Sequence, residues 1–149
     1  MTHYIVGLDL TDDSSYALSW AYKNLFNDSD LVTVVTVLPG WTAEADIDPV
    51  SPSKYTPEMI QDEALATERA RNIVLEMEKT HTEKHVEAYF RVIHADRDPK
   101  EALCNVAVNL KGHTLVIGHG LNKNSGFGQW VLDHSRIPVV VVRPTHLEI

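Results

Sequence analysis

The sequence predicts an α/β fold, an open parallel sheet with helices on both faces. Three observations carry this. First, apolar runs with a strand period and a helix period alternate along the chain in the order β-α-β-α-β-α-β-α-β, the pattern that winds a parallel sheet with right-handed crossovers. Second, the run from Leu31 to Leu38 is β-branched, with no polar face beyond Thr33 and Thr36, as befits a strand covered on both sides. Third, helix start and stop signals fall between the strands, at Thr56-Pro57, Asp98-Pro99 and Gly112. The 149 residues suffice for one domain spanning 1–149 with one sizeable core, and two full domains would be cramped.

The elements follow in order. Tyr4-Ile5-Val6-Gly7-Leu8 is a short apolar run that ends at Asp9 and reads as a strand. Thr11-Asp12-Asp13-Ser14 supplies N-cap candidates for a helix whose inner face is Leu18, Ala21, Tyr22 and Leu25. Asn27-Asp28-Ser29-Asp30 is a turn, and Leu31–Leu38 is the second strand. Pro39 to Lys54 is a polar loop with three prolines, long for a compact domain. Thr56 caps the next helix, with Pro57 at its first position. The expected buried stripe of that helix is Ile60, Ala64, Ala70, Ile73, Val74 and Met77. Val86 to His94 alternates, with Val86, Ala88, Phe90 and Val92 on one side and Glu87, Tyr89 and Arg91 on the other, which places it near a sheet edge. Asp98 caps the third helix, Pro99 opens it, Glu101 sits at its third position, and Gly112 is expected to end it. Thr114–Ile117 is a buried strand closed by Gly118. The loop from His119 to Ser125 leads to a helix from about Gly126 to His134, and Pro138–Val142 is the last strand.

Composition excludes several classes. A formal net charge of −8 presents nucleic acid with a repulsive field, and no Lys/Arg cluster offsets it; Arg69 and Arg71 lie on an acidic, solvated helix face. No stretch approaches the roughly 18 apolar residues that a membrane helix needs. Met1 to Val6 shows no basic region followed by an apolar run, so no signal peptide is expected. The lone Cys104 allows no intrachain disulfide and suits a reducing, cytoplasmic setting. Its apolar helical neighbours Leu103 and Val106 make it a packed side chain rather than a reactive thiol.

Ligands of open parallel sheets bind outside the carboxyl ends of the strands, where the winding direction switches. Three segments end strands there: Asp9-Leu10-Thr11, Thr36-Val37-Leu38 and Gly118-His119-Gly120. The last begins a loop through Leu121, Asn122, Lys123, Asn124 and Ser125 to Gly126 and Phe127, where a helix starts. Glycines let backbone N–H groups approach a phosphate, and a helix N-terminus favours an anion. Lys123 and His119 are the cationic helpers. Taken alone, the loop also reads as a plain turn in which Gly118 and Gly120 bend the chain and Ser125 caps.

The segments Ile5–Ser14, Ala17–Ala21, Asp98-Pro99, Leu115–Gly118 and Ile137–Pro144, in this order, resemble the universal stress protein pattern nearly end to end, leaving unmatched only the loop from about Pro39 to Tyr55. The resemblance implies a Rossmann-like, five-stranded parallel sheet of strand order 3-2-1-4-5. It also implies a homodimer built on the last strand, here Val139, Val140, Val141 and Val142 with Arg143. Nucleotide-binding members hold adenine and ribose near positions matching Asp9, with Leu10 and Thr11 beside it, and near positions matching Val35 and Thr36. Their phosphate motif is Gly, two residues, Gly, nine residues, Gly-Ser/Thr. Gly118 matches its first glycine. Gly120 comes one place early, Ser125-Gly126 stands in reversed order, and the loop between is shorter than the family's.

A shorter loop has fewer N–H groups for a triphosphate, so ATP binding is expected to be weak or lost. The alternative is a retained site for AMP or ATP. A third reading is a phosphoacceptor receiver domain, with Asp9, Asp12 and Asp13 as an acidic pocket. It would need Asp96 as acceptor, and Arg143 stands where it wants a lysine. An enzyme is not expected. His81 and His85 have a zinc-compatible spacing but no third ligand. His94 with Asp96 and Asp98 lacks a nucleophile, and His134 reads as packing beside Trp130. Trp41 reads as a cover for a ligand site, a dimer contact or, most commonly for such a residue, an anchor of the long loop on the core. The expectation is a stress-response binding module with no catalytic residues and no metal.

Overall fold

In the computed structural model, described for residues 1–9, 12–38, 57–95, 98–118 and 126–143, the order is β1 (His3–Gly7), α1 (Asp12–Asn24), β2 (Leu31–Leu38), α2 (Pro57–Thr80), β3 (Glu87–His94), α3 (Pro99–Asn109), β4 (Thr114–Gly118), α4 (Phe127–His134) and β5 (Val139–Val142). The strands form one sheet, ordered β3-β2-β1-β4-β5, and every pairing is parallel. This is the doubly wound sheet that the sequence predicts. The expected N-cap Thr56, Asp96 and the loop with Trp41 lie outside the described residues.

Alternation along the central strands divides the core between the two faces. Val6, Val32, Val34 and Val116 face α1 and α2, where they pack with Leu18, Ala21, Tyr22, Phe26 and Val74. Ile5, Val35, Leu115 and Ile117 face α3 and α4, where they meet Leu103, Ala107, Phe127 and Val131. Edge strand β3 keeps the expected split, with Glu87, Tyr89 and Arg91 exposed and Ala88, Phe90 and Val92 turned inward.

Two expectations need correction. The buried stripe of α2 runs through Ala66, Ala70 and Val74, whereas Ala64 is exposed. Small residues satisfy several helical registers, so periodicity alone picks the wrong alanine. Gly112 is not the left-handed residue that ends α3. Lys111 takes that conformation at φ 58°, donating its N–H to Val108 O, while Gly112 N–H reaches Ala107 O. These two bonds form a Schellman closure with lysine in the position glycine usually holds. Gly112 serves a different need, because a Cβ there would lie 2.5 Å from Ile5 Cγ1.

At the start of α3, Asp98 has extended backbone and accepts a hydrogen bond from Lys100 N–H, the expected cap. Cys104 is buried in the α3–α4 core, and burial pushes its thiol pKa up, consistent with a packed rather than reactive side chain.

Candidate functional site

A shallow cleft opens at the carboxyl ends of β1 and β2, on the face covered by α3 and α4. Gly7, Leu8, Asp9, Val35, Val37, Leu103 and Phe127 line it. Parallel pairing builds its floor, since Gly7 is in register with Val35. Leu8 N–H extends the pairing by donating to Val35 O at 2.9 Å. Val35 and Val37 reach the cleft together because alternate residues of a strand share a face. Leu103 from α3 and Phe127, the first residue of α4, supply the apolar wall, and both are buried.

Asp9 is the one charged residue among the described lining. Its geometry is set by Ser14, in the first turns of α1. Ser14 Oγ donates to Asp9 Oδ1 at 2.6 Å and accepts from Asp9 N–H at 3.1 Å. Ser14 is fully buried, so bulk water does not compete at this contact.

Gly118 ends β4 opposite Val142. Gly126 precedes α4 in the left-handed region at φ 59°, with no side-chain cap on the helix. Its conformation favours glycine on backbone grounds alone, since a Cβ there would meet nothing within 4 Å.

Of the nucleotide-site residues expected from sequence, Asp9, Val35 and Phe127 meet in the cleft. Thr36 does not line it. Its side chain shares the α1–α2 face with Val34, and its buried Oγ1 makes no hydrogen bond within the described residues. Gly118 and Gly126 flank the segment 119–125. Leu10, Thr11, His119, Gly120, Lys123 and Ser125 lie outside the described residues. Leu103 and Ser14 were not among the expected site residues, and Val37 entered only within the strand-end segment Thr36-Val37-Leu38. The two-residue period from Val35 points to Val37, whereas nothing local marks the contact of Ser14 with Asp9.

The other candidate groups serve packing. His94 Nε2 meets Glu63 Oε1 of α2 at 2.7 Å, Asp98 caps α3, and Asp96 lies outside the described residues. His81 is buried with its ring stacked on Tyr22, 5.2 Å between centroids, while His85 is exposed. His134 stacks on Trp130 at 4.1 Å. Among the described residues, no group of three or more His, Cys, Asp or Glu side chains is placed to hold a metal. At the far edge of the sheet, Val139, Val140 and Val141 of β5 are half-buried and Arg143 is exposed.

Comparison with known proteins agrees with this architecture. The chain is similar in structure to the universal stress protein UspA from Lactobacillus plantarum, at 18% identity and TM-score 0.68, covering 95% of this chain and 97% of that one. It is similar to an Arabidopsis thaliana universal stress family protein solved with AMP bound, at 17% identity and TM-score 0.62, covering 99% and 95%. A third likeness is the Archaeoglobus fulgidus universal stress protein in complex with dAMP, at 16% identity and TM-score 0.60, covering 95% and 97%. At these identities the likeness is one of fold. No curated protein matches the sequence. The family assignment comes from the sequence model of the universal stress protein family, which matches residues 1–143 and so takes in every strand and helix of the sheet. The chain belongs to the universal stress protein family.

Proposed function

We propose that this chain is a single-domain binding and regulatory module that takes an adenine mononucleotide in the Asp9 cleft, with ATP binding weak or lost. The observation that carries the reading is the makeup of the cleft. Apolar side chains form its walls, one carboxylate stands at its rim, and no described lining residue is cationic. A flat base would lie over the apolar patch that Val35, Val37, Leu103 and Phe127 form at the mouth of the cleft. The Asp9 carboxylate can accept hydrogen bonds from ribose hydroxyls or an exocyclic amine.

The phosphate end would fall between Gly118 and Gly126, beside the N-terminus of α4, where backbone N–H groups favour an anion. That span is shorter than the family motif, and the chain carries a net charge of −8. Each added phosphate brings more repulsion with few extra donors. Relatives of this fold solved with AMP and dAMP support a monophosphate ligand.

The reading includes a homodimer through β5. This strand is an edge, three of its four valines are half-buried, and an unpaired edge invites a second strand. It also includes a cytoplasmic location, supported by a lone, buried thiol. No described helix is long and apolar enough to cross a membrane.

Calorimetric titration tests the reading. AMP should give saturable heat at micromolar to millimolar concentration, with ATP weaker, and both nucleotides should be recovered unhydrolysed. No heat from either at millimolar concentration would sink it.

A further inference from the structure

We infer that Ser14 is a positioning residue for the nucleotide site, acting through Asp9; the inference rests on the nucleotide reading of the cleft. One hydroxyl makes two contacts with one residue. Ser14 Oγ–H donates to Asp9 Oδ1 at 2.6 Å, and the same oxygen accepts from Asp9 N–H at 3.1 Å. The carboxylate is thereby folded back toward its own amide, which restricts its χ1 rotation. An Asp just past the end of a strand would otherwise have several rotamers open to it.

The clamp stands on rigid supports at both ends. Leu8, immediately before Asp9, is tied to Val35 O at 2.9 Å and is buried. Ser14 has 0% exposure and lies within α1, whose residues Ala17 and Leu18 pack into the core. The start of α1 is therefore coupled to the orientation of the one charge among the described lining of the cleft. A carboxylate held in place loses less freedom when a ligand binds, so removing the clamp should weaken binding without removing any ligand contact.

The test uses the full chain and two readouts. In the ligand-free protein, three-bond Hα–Hβ couplings should report a single Asp9 rotamer for wild type and rotamer averaging for Ser14→Ala. In calorimetry with AMP, Ser14→Ala should bind about tenfold more weakly, the lower end of what losing a hydrogen bond to a charged group costs. In an Asp9→Ala background the same change should have no further effect, because Ser14 acts only through Asp9. A fixed Asp9 rotamer in Ser14→Ala overturns the inference. So does AMP affinity equal to wild type, or an equal further loss in the Asp9→Ala background. If wild type takes up no AMP, the nucleotide reading falls, and the couplings alone decide whether Ser14 holds Asp9.

Discussion

Gly112 and Ile5 approach so closely that any side chain at position 112 would force one of them to shift. A Cβ there would lie 2.5 Å from Ile5 Cγ1 and 3.1 Å from Ala107 O. Ile5 is fully buried in β1, and Ala107 is in α3, so the contact sets how tightly the end of α3 seats on the sheet. Leu103, a wall of the cleft, lies one helical turn before Ala107 on the same helix. Gly112→Ala should therefore destabilise the protein by about 1–3 kcal/mol through overpacking, read as a lower urea midpoint. An unchanged midpoint would show that the α3–β4 connection yields more than this packing implies.

The neighbouring residue predicts the opposite sign. Lys111 is exposed and left-handed at φ 58°. That conformation costs a residue with a Cβ about 1 kcal/mol, and the greater freedom of unfolded glycine takes back roughly half of any gain. Lys111→Gly should stabilise by about 0.5 kcal/mol in chemical denaturation, keeping the bond to Val108 O. A loss of stability would mean that the lysine side chain makes a contact worth more than the strain.

A pH effect follows from His3. Its ring is buried, with Nε2 2.8 Å from Thr33 Oγ1, and its backbone N–H donates to His113 Nδ1 at 2.8 Å. Burial holds its pKa below the ordinary 6.5; the Leu110 carbonyl opposes this, and the nearby His113 adds to it. The unfolded chain then takes up a proton more readily than the folded one. The stability contributed by neutral His3 is present above pH 6.5 and lost as pH falls from there through the folded pKa. Urea midpoints between pH 8 and pH 5 should fall on the acid side. His3→Gln, which keeps a group able to bond Thr33, should flatten that part of the profile, and an equally steep profile in the variant would contradict the assignment.

Tyr22 gives a complementary alkaline effect. Its hydroxyl is buried without a hydrogen-bond partner within the described residues, and its pKa is pushed up to about 12, first by burial and then by the charge of Glu78. The folded state therefore holds the proton more tightly than the unfolded state, and stability drains as pH rises from about 10 toward 12. Tyr22→Phe keeps the ring against Phe26 and His81 but removes an unsatisfied polar atom. Its stability at neutral pH should equal or exceed wild type by up to ~1 kcal/mol, and its alkaline loss should shrink. A loss above ~1 kcal/mol at neutral pH would mean that the hydroxyl has a partner after all.

Much of the fold was legible because local signals agreed with one another. The unbroken β-branched run of β2, the alternation of β3 and the Asp98 cap each announce their elements within a few residues. Strand order was not legible from periodicity; it came from the family resemblance, and the pairings agree with it. Errors arose where small residues leave the pattern degenerate, as with Ala64 for Ala66, or where a glycine invites the usual explanation, as with Gly112 for Lys111. Of the cleft's lining, the carboxyl end of the first strand marked Asp9, and the family resemblance pointed to Val35. Leu103 joins it only through a crossover from β3, and Ser14, legible as an N-cap candidate, gives no local sign of its contact with Asp9. The pairing of His94 with Glu63 depends likewise on how α2 lies over β3.

The proposed occupation of the Asp9 cleft by an adenine mononucleotide can be followed residue by residue in solution. Backbone amide shift mapping during titration with AMP tests it most directly. Saturable shifts are expected at Gly7, Leu8, Asp9, Val35, Val37, Leu103 and Phe127, reaching half-saturation at lower AMP than ATP. Shifts absent from those residues at millimolar AMP, or tighter binding of ATP than of AMP, would contradict it.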